Sequence, residues 1–128
     1  MILGKYMSLL GVGSARIDLI LPKETYSPGE SIKGYFKIIV GTIEQQINRI
    51  DSDLVLINRT KGTEKVIDFT TILTKKRINS TEENEFQFTF RLPSYVPVSS
   101  DEISYRFHTK LTFNNGVESI DQDSITIV

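Results

Sequence analysis

The chain has 128 residues, enough for one domain with one hydrophobic core. Its 15 basic and 16 acidic residues nearly cancel, so it lacks the strongly basic balance of nucleic-acid-binding domains. It has no cysteine, which excludes thiol catalysis, disulfides and cysteine-ligated zinc. No stretch reaches the roughly 18 apolar residues of a membrane-spanning helix, so we expect no stable membrane insertion.

The apolar residues of the N-terminal segment fit one face of a short helix that ends at Gly11. Its apolar residues are Ile2, Leu3, Tyr6, Met7, Leu9 and Leu10. They predict a short helix or a packed arm within residues 1–13, followed by one β-domain over residues 14–128. No A-x-A-like cleavage site follows the segment, which argues against a signal peptide. Lys5 is the only cation before Arg16, too little charge to attract the segment to anionic lipid.

The stretch after Tyr26 predicts a tight turn that leads into a strand. Pro28 presets φ near −65° and Gly29 accepts a positive φ, which together suit a type II turn. Glu30 closes the turn. Gly34 lies on the buried face of the strand that follows, where we expect close backbone packing.

Seven segments show the two-residue period of a half-buried strand. Their apolar positions are Ile17, Leu19 and Leu21; Ile32 to Val40; Ile50, Leu54 and Leu56, with Ser52 as an imperfection; Ile67, Phe69, Thr71 and Leu73; Phe86, Phe88, Phe90 and Leu92; Tyr105, Phe107, Thr109, Leu111 and Phe113; and Ser124 to Val128. The opposite faces are mostly polar, as in antiparallel sheets with one solvated face. We therefore predict an all-β antiparallel sandwich of about seven strands. Its expected core contains Phe86, Phe88, Phe90, Phe107, Leu111 and Phe113.

Two short segments predict the connections between neighbouring strands. Asn114-Asn115-Gly116 is a strong hairpin signal and should pair the last two strands. Lys61-Gly62-Thr63 predicts a second hairpin tip. Pro93 and Pro97 bracket an irregular loop, because neither can serve a central ladder.

The polar residues form no pattern that predicts catalysis or metal binding. His108 is the only histidine and lies between Arg106 and Lys110 on a polar face, where cationic neighbours disfavour a divalent metal. We interpret the acidic residues Asp101, Glu102, Asp121 and Asp123 as solvated loop carboxylates, since they lack the spacing of a calcium-binding loop. We therefore predict no catalytic residue, metal ligand or cofactor site.

Two charged runs leave a structural and a functional interpretation open. Lys75-Lys76-Arg77 is either a solvated strand end or a patch for an acidic partner or anionic lipid. Glu82, Glu83 and Glu85 precede the phenylalanine-rich strand and are typical of charged residues that protect an apolar strand from aggregation.

Several sequence blocks, spread from about Ser8 to the C-terminus, carry a family resemblance. They are Leu9 to Asp18, Tyr26 to Gly34, Ile43 to Ile47, and Phe88 to Pro93 with the downstream Pro97. With these blocks the chain resembles the bacterial sporulation-control protein family (SpoOM type), which has an arrestin-like fold. The resemblance implies an arrestin-like, immunoglobulin-like sandwich and a cytoplasmic, regulatory, non-enzymatic role. It identifies Tyr26, Pro28, Gly29, Glu30 and Gly34 as structural motif residues.

The resemblance also implies two tandem sandwiches, of which this chain contains one. We expect it to bind protein partners of unknown identity, and an uncovered surface would favour a homodimer. The alternative is an extracytoplasmic immunoglobulin-like domain that binds a ligand or carbohydrate. A cleaved N-terminus or an aromatic platform on one sheet face would favour that alternative.

Overall fold

The computed structural model describes residues 5–9, 13–78 and 84–128, with residues 5–9 described by their backbone alone. Ten strands make up its regular structure: β1 Lys5–Leu9, β2 Arg16–Ile20, β3 Thr25–Tyr26, β4 Ser31–Ile39, β5 Gln45–Asn58, β6 Thr63–Leu73, β7 Arg77–Ile78, β8 Asn84–Arg91, β9 Ile103–Phe113 and β10 Glu118–Ile127. The described residues contain no helix long and apolar enough to cross a membrane. The all-β prediction is confirmed.

The strands of the described residues form two sheets that pack face to face. The larger sheet has the order β1-β10-β9-β5-β6, and the short strands β3 and β7 extend it beside β10 and β5. The smaller sheet has the order β2-β4-β8. The seven strands predicted from the sequence correspond to β2, β4, β5, β6, β8, β9 and β10. Both predicted hairpins are present, joining β5 to β6 and β9 to β10 as antiparallel pairs.

An aromatic cluster fills the core between the sheets. The ring of Phe88 lies 5.2 Å from Phe36, 5.9 Å from Phe90 and 5.3 Å from Phe107, measured between ring centroids. Phe36 and Phe107 meet Phe88 edge to face and Phe90 stacks on it, and both arrangements stabilise the fold beyond simple burial. The predicted core residues Phe88, Phe90, Phe107, Leu111 and Phe113 are all buried, whereas Phe86 is only partly buried at the edge of the cluster.

Two polar side chains of β10 close one side of the sandwich. Strand β2 is an edge of the smaller sheet, so alternate N–H groups point away from its neighbour β4. Ser119 Oγ accepts the N–H of Ile17 at 3.2 Å, and Asp121 Oδ2 accepts the N–H of Leu19 at 2.7 Å. Side chains of the larger sheet thus satisfy backbone groups of the smaller sheet, because a buried N–H without an acceptor would cost free energy.

The prediction of a helix near the N-terminus is wrong for Lys5–Leu9, which form strand β1. These residues pair antiparallel with β10, from Lys5 opposite Asp123 to Leu9 opposite Ser119. The ladder of hydrogen bonds that β10 offers along its edge outweighs a weak helical periodicity. The rest of the predicted helix or arm, residues 1–4 and 10–12, lies outside the described residues.

Strand β6 exposes residues that its sequence period assigns to the core. Phe69 is 65% exposed and Leu73 is 75% exposed, while Thr70 and Ile72 face inward between them. The register against β5 shifts between Leu54 and Val55, which marks a β-bulge. The bulge adds one residue to β6, so the alternation before it does not continue on the same face after it.

Candidate functional site

The outer face of the larger sheet carries a polar groove of about 520 Å³. Its lining residues come from adjacent strands and are Arg49, Asp51, Asp53, His108, Lys110, Thr112 and Glu118. The register of β5 and β9 places Asp51 opposite Lys110 and Asp53 opposite His108. Because side chains alternate along each strand, these polar groups share the face that points away from the core.

Ion pairs and hydrogen bonds hold the charged groups of the groove in place. Both guanidinium contacts from Arg49 to the Asp51 carboxylate measure 2.8 Å, and the Thr71 hydroxyl donates to the same carboxylate at 2.8 Å. Burial by itself would raise the pKa of Asp51, but the bonds from Arg49 and Thr71 and the charge of Lys110 hold it below its usual range. Lys110 pairs with Glu118 at 3.4 Å.

His108 lies on the sheet face, as the sequence predicted. It stands opposite Asp53 on one side and Gln122 on the other. Among the described residues, no group of three or more histidines, cysteines and acids could hold a metal ion. The prediction that His108 is neither a base nor a ligand stays a prediction.

An apolar rim borders the groove along β6. We use this name for Val66, Phe69 and Leu73, whose exposed fractions are 52%, 65% and 75%. Phe69 lies opposite Asp53 and Leu73 opposite Arg49, so both side chains stand on the same face as the groove. The outer face therefore combines a polar floor with protruding apolar side chains at one margin.

The motif at residues 26–34 forms a turn at the end of the sandwich. Gly29 has a φ of 79°, and the N–H of Glu30 donates to the carbonyl of Ser27 at 3.1 Å, the geometry of the predicted turn. The Glu30 carboxylate contacts Lys23 Nζ at 2.6 Å and accepts the Ser27 N–H at 3.0 Å, and these two bonds lower the pKa of Glu30.

Tyr26 and Gly34 serve packing within the same motif. The buried Tyr26 donates its hydroxyl to the carbonyl of Lys23 at 2.7 Å, and burial raises the pKa of that hydroxyl. A Cβ on Gly34 would lie far inside van der Waals contact of the Ile20 carbonyl oxygen. The five motif residues thus form a turn and a close contact between strands, and none of them lines the polar groove.

The four acidic residues do not lie together, and two of them depart from their prediction. Asp101 and Glu102 are exposed in a loop, as expected. Asp121 is instead fully buried in β10, and Asp123 is partly buried in the same strand. The interpretation of Asp121 and Asp123 as solvated loop carboxylates is wrong, because both lie in strand β10. The Asp121 side chain points inward and accepts the N–H of Leu19 in β2.

Two of the three residues in the basic run at residues 75–77 contact side chains of the same domain. Arg77 pairs with Glu44 at 3.0 Å, and Lys76 Nζ lies 5.9 Å from the ring centre of Phe86. Lys75 is exposed. Glu85 is exposed on β8, whereas Glu82 and Glu83 lie outside the described residues.

Comparison with known proteins identifies the family. The model of the SpoOM protein family matches residues 3–128. The chain belongs to the SpoOM protein family. It is 31% identical to the sporulation-control protein spo0M of Bacillus subtilis (strain 168), over 96% of this chain and 50% of the relative. It therefore spans about half the length of the curated relative it matches.

Solved structures agree with the family and the architecture. The crystal structure of Spo0M from Bacillus subtilis superimposes with a TM-score of 0.79 at 30% identity, over 91% of this chain and 50% of that one. A Niemann-Pick type C2 protein from the Japanese carpenter ant superimposes with a TM-score of 0.59 at 10% identity, over 96% of this chain and 99% of that one. The second likeness concerns the fold alone. The arrestin-like sandwich predicted from the sequence is consistent with the first.

Proposed function

We propose that the chain is a cytoplasmic, non-enzymatic regulatory module that acts by binding another protein. Its membership of the SpoOM family supports a regulatory role, because the curated relative is named as a sporulation-control protein. The docking surface that we propose is the outer face of the larger sheet, with the polar groove and the apolar rim together.

The observation that carries this proposal is the position of the apolar rim beside the groove. Phe69 and Leu73 present most of their side-chain surface to solvent. Protein interfaces place aromatic and aliphatic anchors among polar groups that set register and orientation. The paired charges of the groove, such as Arg49 with Asp51, supply such polar groups in fixed positions.

Affinity capture with matched variants tests the proposal. The full chain serves as bait in a lysate of its host cell, beside the double variants Phe69→Ser with Leu73→Ser and Tyr95→Ser with Val98→Ser. Tyr95 and Val98 are also exposed apolar residues, 75% and 52% exposed, but they lie in the loop before β9. We expect quantitative mass spectrometry to find proteins that the wild type and the loop variant retain and the rim variant loses.

Two outcomes would count against the proposal. Equal retention by all three baits would show that the rim does not bind the partner, and loss with the loop variant alone would move the docking surface to that loop. Cell fractionation of the tagged chain tests the cytoplasmic location independently.

A further inference from the structure

Strand β6 forms one end of the larger sheet in the part of the chain that the structure describes. Its 11 residues pair with β5 on one side only. Edge strands present backbone N–H and C=O groups to solvent, and these can accept another strand. Long apolar edges are therefore candidates for pairing with a second chain.

The open groups of the edge belong to alternate residues after the bulge. The N–H of Thr74 donates to the carbonyl of Asn48 at 3.4 Å, which extends the β5–β6 ladder by one residue. In an antiparallel ladder the residues that bond to the neighbour alternate with those that do not. The N–H and C=O groups of Phe69, Thr71 and Leu73 therefore point away from β5. The N–H of Phe69 is consistent with this pattern, because it donates to the Asp68 side chain at 2.8 Å and not to a carbonyl of β5.

We propose that β6 pairs antiparallel with β6 of a second copy of this chain, about a two-fold axis at Thr71. In this register Thr71 faces Thr71 of the second copy, and Phe69 faces Leu73 of the second copy. The residues whose backbone groups are open would form the hydrogen-bonded pairs. The bulge, which precedes Asp68, would lie outside the paired region.

Side-chain chemistry makes this register self-complementary. Phe69 and Leu73 stand on the same face of the sheet, so each exposed apolar side chain gains an apolar cross-strand neighbour. A two-fold interface requires that one surface matches itself, and the rim does so only when the strands run antiparallel. Registers centred one residue away in either direction would place Phe69 opposite Thr71 or Leu73 opposite Thr71 of the second copy.

The charges along the edge favour the same orientation. The N-terminal part of the strand carries Glu64 and Asp68, with Lys65 between them, and the segment after it carries Lys75 and Lys76. Antiparallel pairing about Thr71 brings the acidic part of the strand of one copy towards the basic segment of the other, with Asp68 opposite Thr74 of the second copy. The Asp68 carboxylate would release the Phe69 N–H to the carbonyl of Leu73 of the second copy.

The pairing would join two outer faces into one surface that carries both grooves. Both proposals use Phe69 and Leu73 of the apolar rim, but the pairing does not rest on partner docking, because its contact is made by the backbone edge and the rim without the groove. A single strand pair buries less area than the roughly 1,200 Å² of a stable specific interface, so we expect a weak dimer in exchange with the monomer.

Disulfide trapping tests the register. Because the chain has no native cysteine, each disulfide can form only between the introduced cysteines. Facing residues in a hydrogen-bonded antiparallel pair have Cα atoms about 5.5 Å apart, within the range of a disulfide. Under mild oxidation we expect Thr71→Cys to form a covalent dimer at least about tenfold faster than Thr63→Cys at the other end of β6. A mixture of Phe69→Cys and Leu73→Cys chains should form the mixed disulfide in preference to either homodimer.

The same measurements can overturn the inference. Equal trapping rates for Thr71→Cys and Thr63→Cys would show random collision. Preferred disulfides between two Phe69→Cys chains would show a different register. Far-ultraviolet circular dichroism of each reduced variant confirms that the comparison is made between folded chains. The substitution Asp53→Arg in the groove is then added to the Thr71→Cys chain. If it abolishes partner capture but the Thr71→Cys dimer still forms, self-pairing is independent of partner docking.

Discussion

Single residues decide how closely neighbouring strands approach and how one sheet bonds to the other. Gly34 lies on β4 where it passes the carbonyl of Ile20, and no side chain fits between them. Asp121 places a carboxylate in the interior, where it accepts a backbone N–H of β2. A glycine inside a strand was expected to mark close packing, whereas an acid inside the core is a position that its chemical type alone would not predict.

Substitution of Gly34 tests the close approach. We expect Gly34→Ala to lower the free energy of unfolding by about 1–3 kcal/mol, since the added methyl group would push the two strands apart. Lys33→Ala, at the exposed neighbouring position, should change it by less than about 0.5 kcal/mol. Urea denaturation monitored by circular dichroism measures both. Equal stability of the two variants would show that the strands can separate without cost.

The lowered pKa of Asp51 predicts a pH dependence. The carboxylate is charged and paired with Arg49 in the folded chain, so its folded pKa lies below the unfolded value of about 3.9. Its contribution to stability is therefore fully present above the unfolded pKa and is lost as the pH falls through the folded pKa. Asp51→Asn should be less stable than the wild type at pH 6, and the difference should shrink as the pH falls below the unfolded pKa of about 3.9. A difference that is constant with pH would contradict the pairing.

The strands differ in how well the hydrophobic period of the sequence predicts which of their faces is buried. Strands β4, β8 and β9 alternate apolar and polar residues, so that the apolar residues share one face. The core residues predicted from these strands are buried, apart from Phe86. Strand β10 was predicted only from Ser124 because its inward positions include Ser119 and Asp121, which satisfy β2 and break the apolar pattern. Strand β6 was assigned the wrong face for Phe69, Thr71 and Leu73, although Ile67 does pack against the core, because a bulge leaves no mark in the hydrophobic period.

Two phenylalanines on different elements test the assignment of faces. We expect Phe88→Ala, in the aromatic cluster, to lower the free energy of unfolding by about 3–5 kcal/mol. Phe69→Ala should have an effect within about 0.5 kcal/mol, because its side chain is 65% exposed. Thermal and urea unfolding of both variants makes the comparison. A larger loss for Phe69→Ala would place that ring in the core and remove it from the docking face.

At the scale of the whole molecule, the sandwich brings together residues that are far apart in sequence. The alternation of polar residues along β5 and β9 can be read from the sequence. Only the strand order and register, however, show that Asp53 lies opposite His108. The sequence therefore predicted a polar sheet face but not the groove. The rim could not be predicted either, because its apolar residues have the composition of a core strand.

Site-specific photo-crosslinking in the host cell tests the central claim, that a partner protein docks on the outer face of the larger sheet. A photoreactive amino acid replaces Lys110 in the groove or, as a matched control, Lys37 on the outward face of β4; both lysines are partly buried. We expect irradiation to join position 110, and not position 37, to a protein other than a second copy of this chain. Adducts with the same protein at both positions, or at neither, would contradict docking on this face.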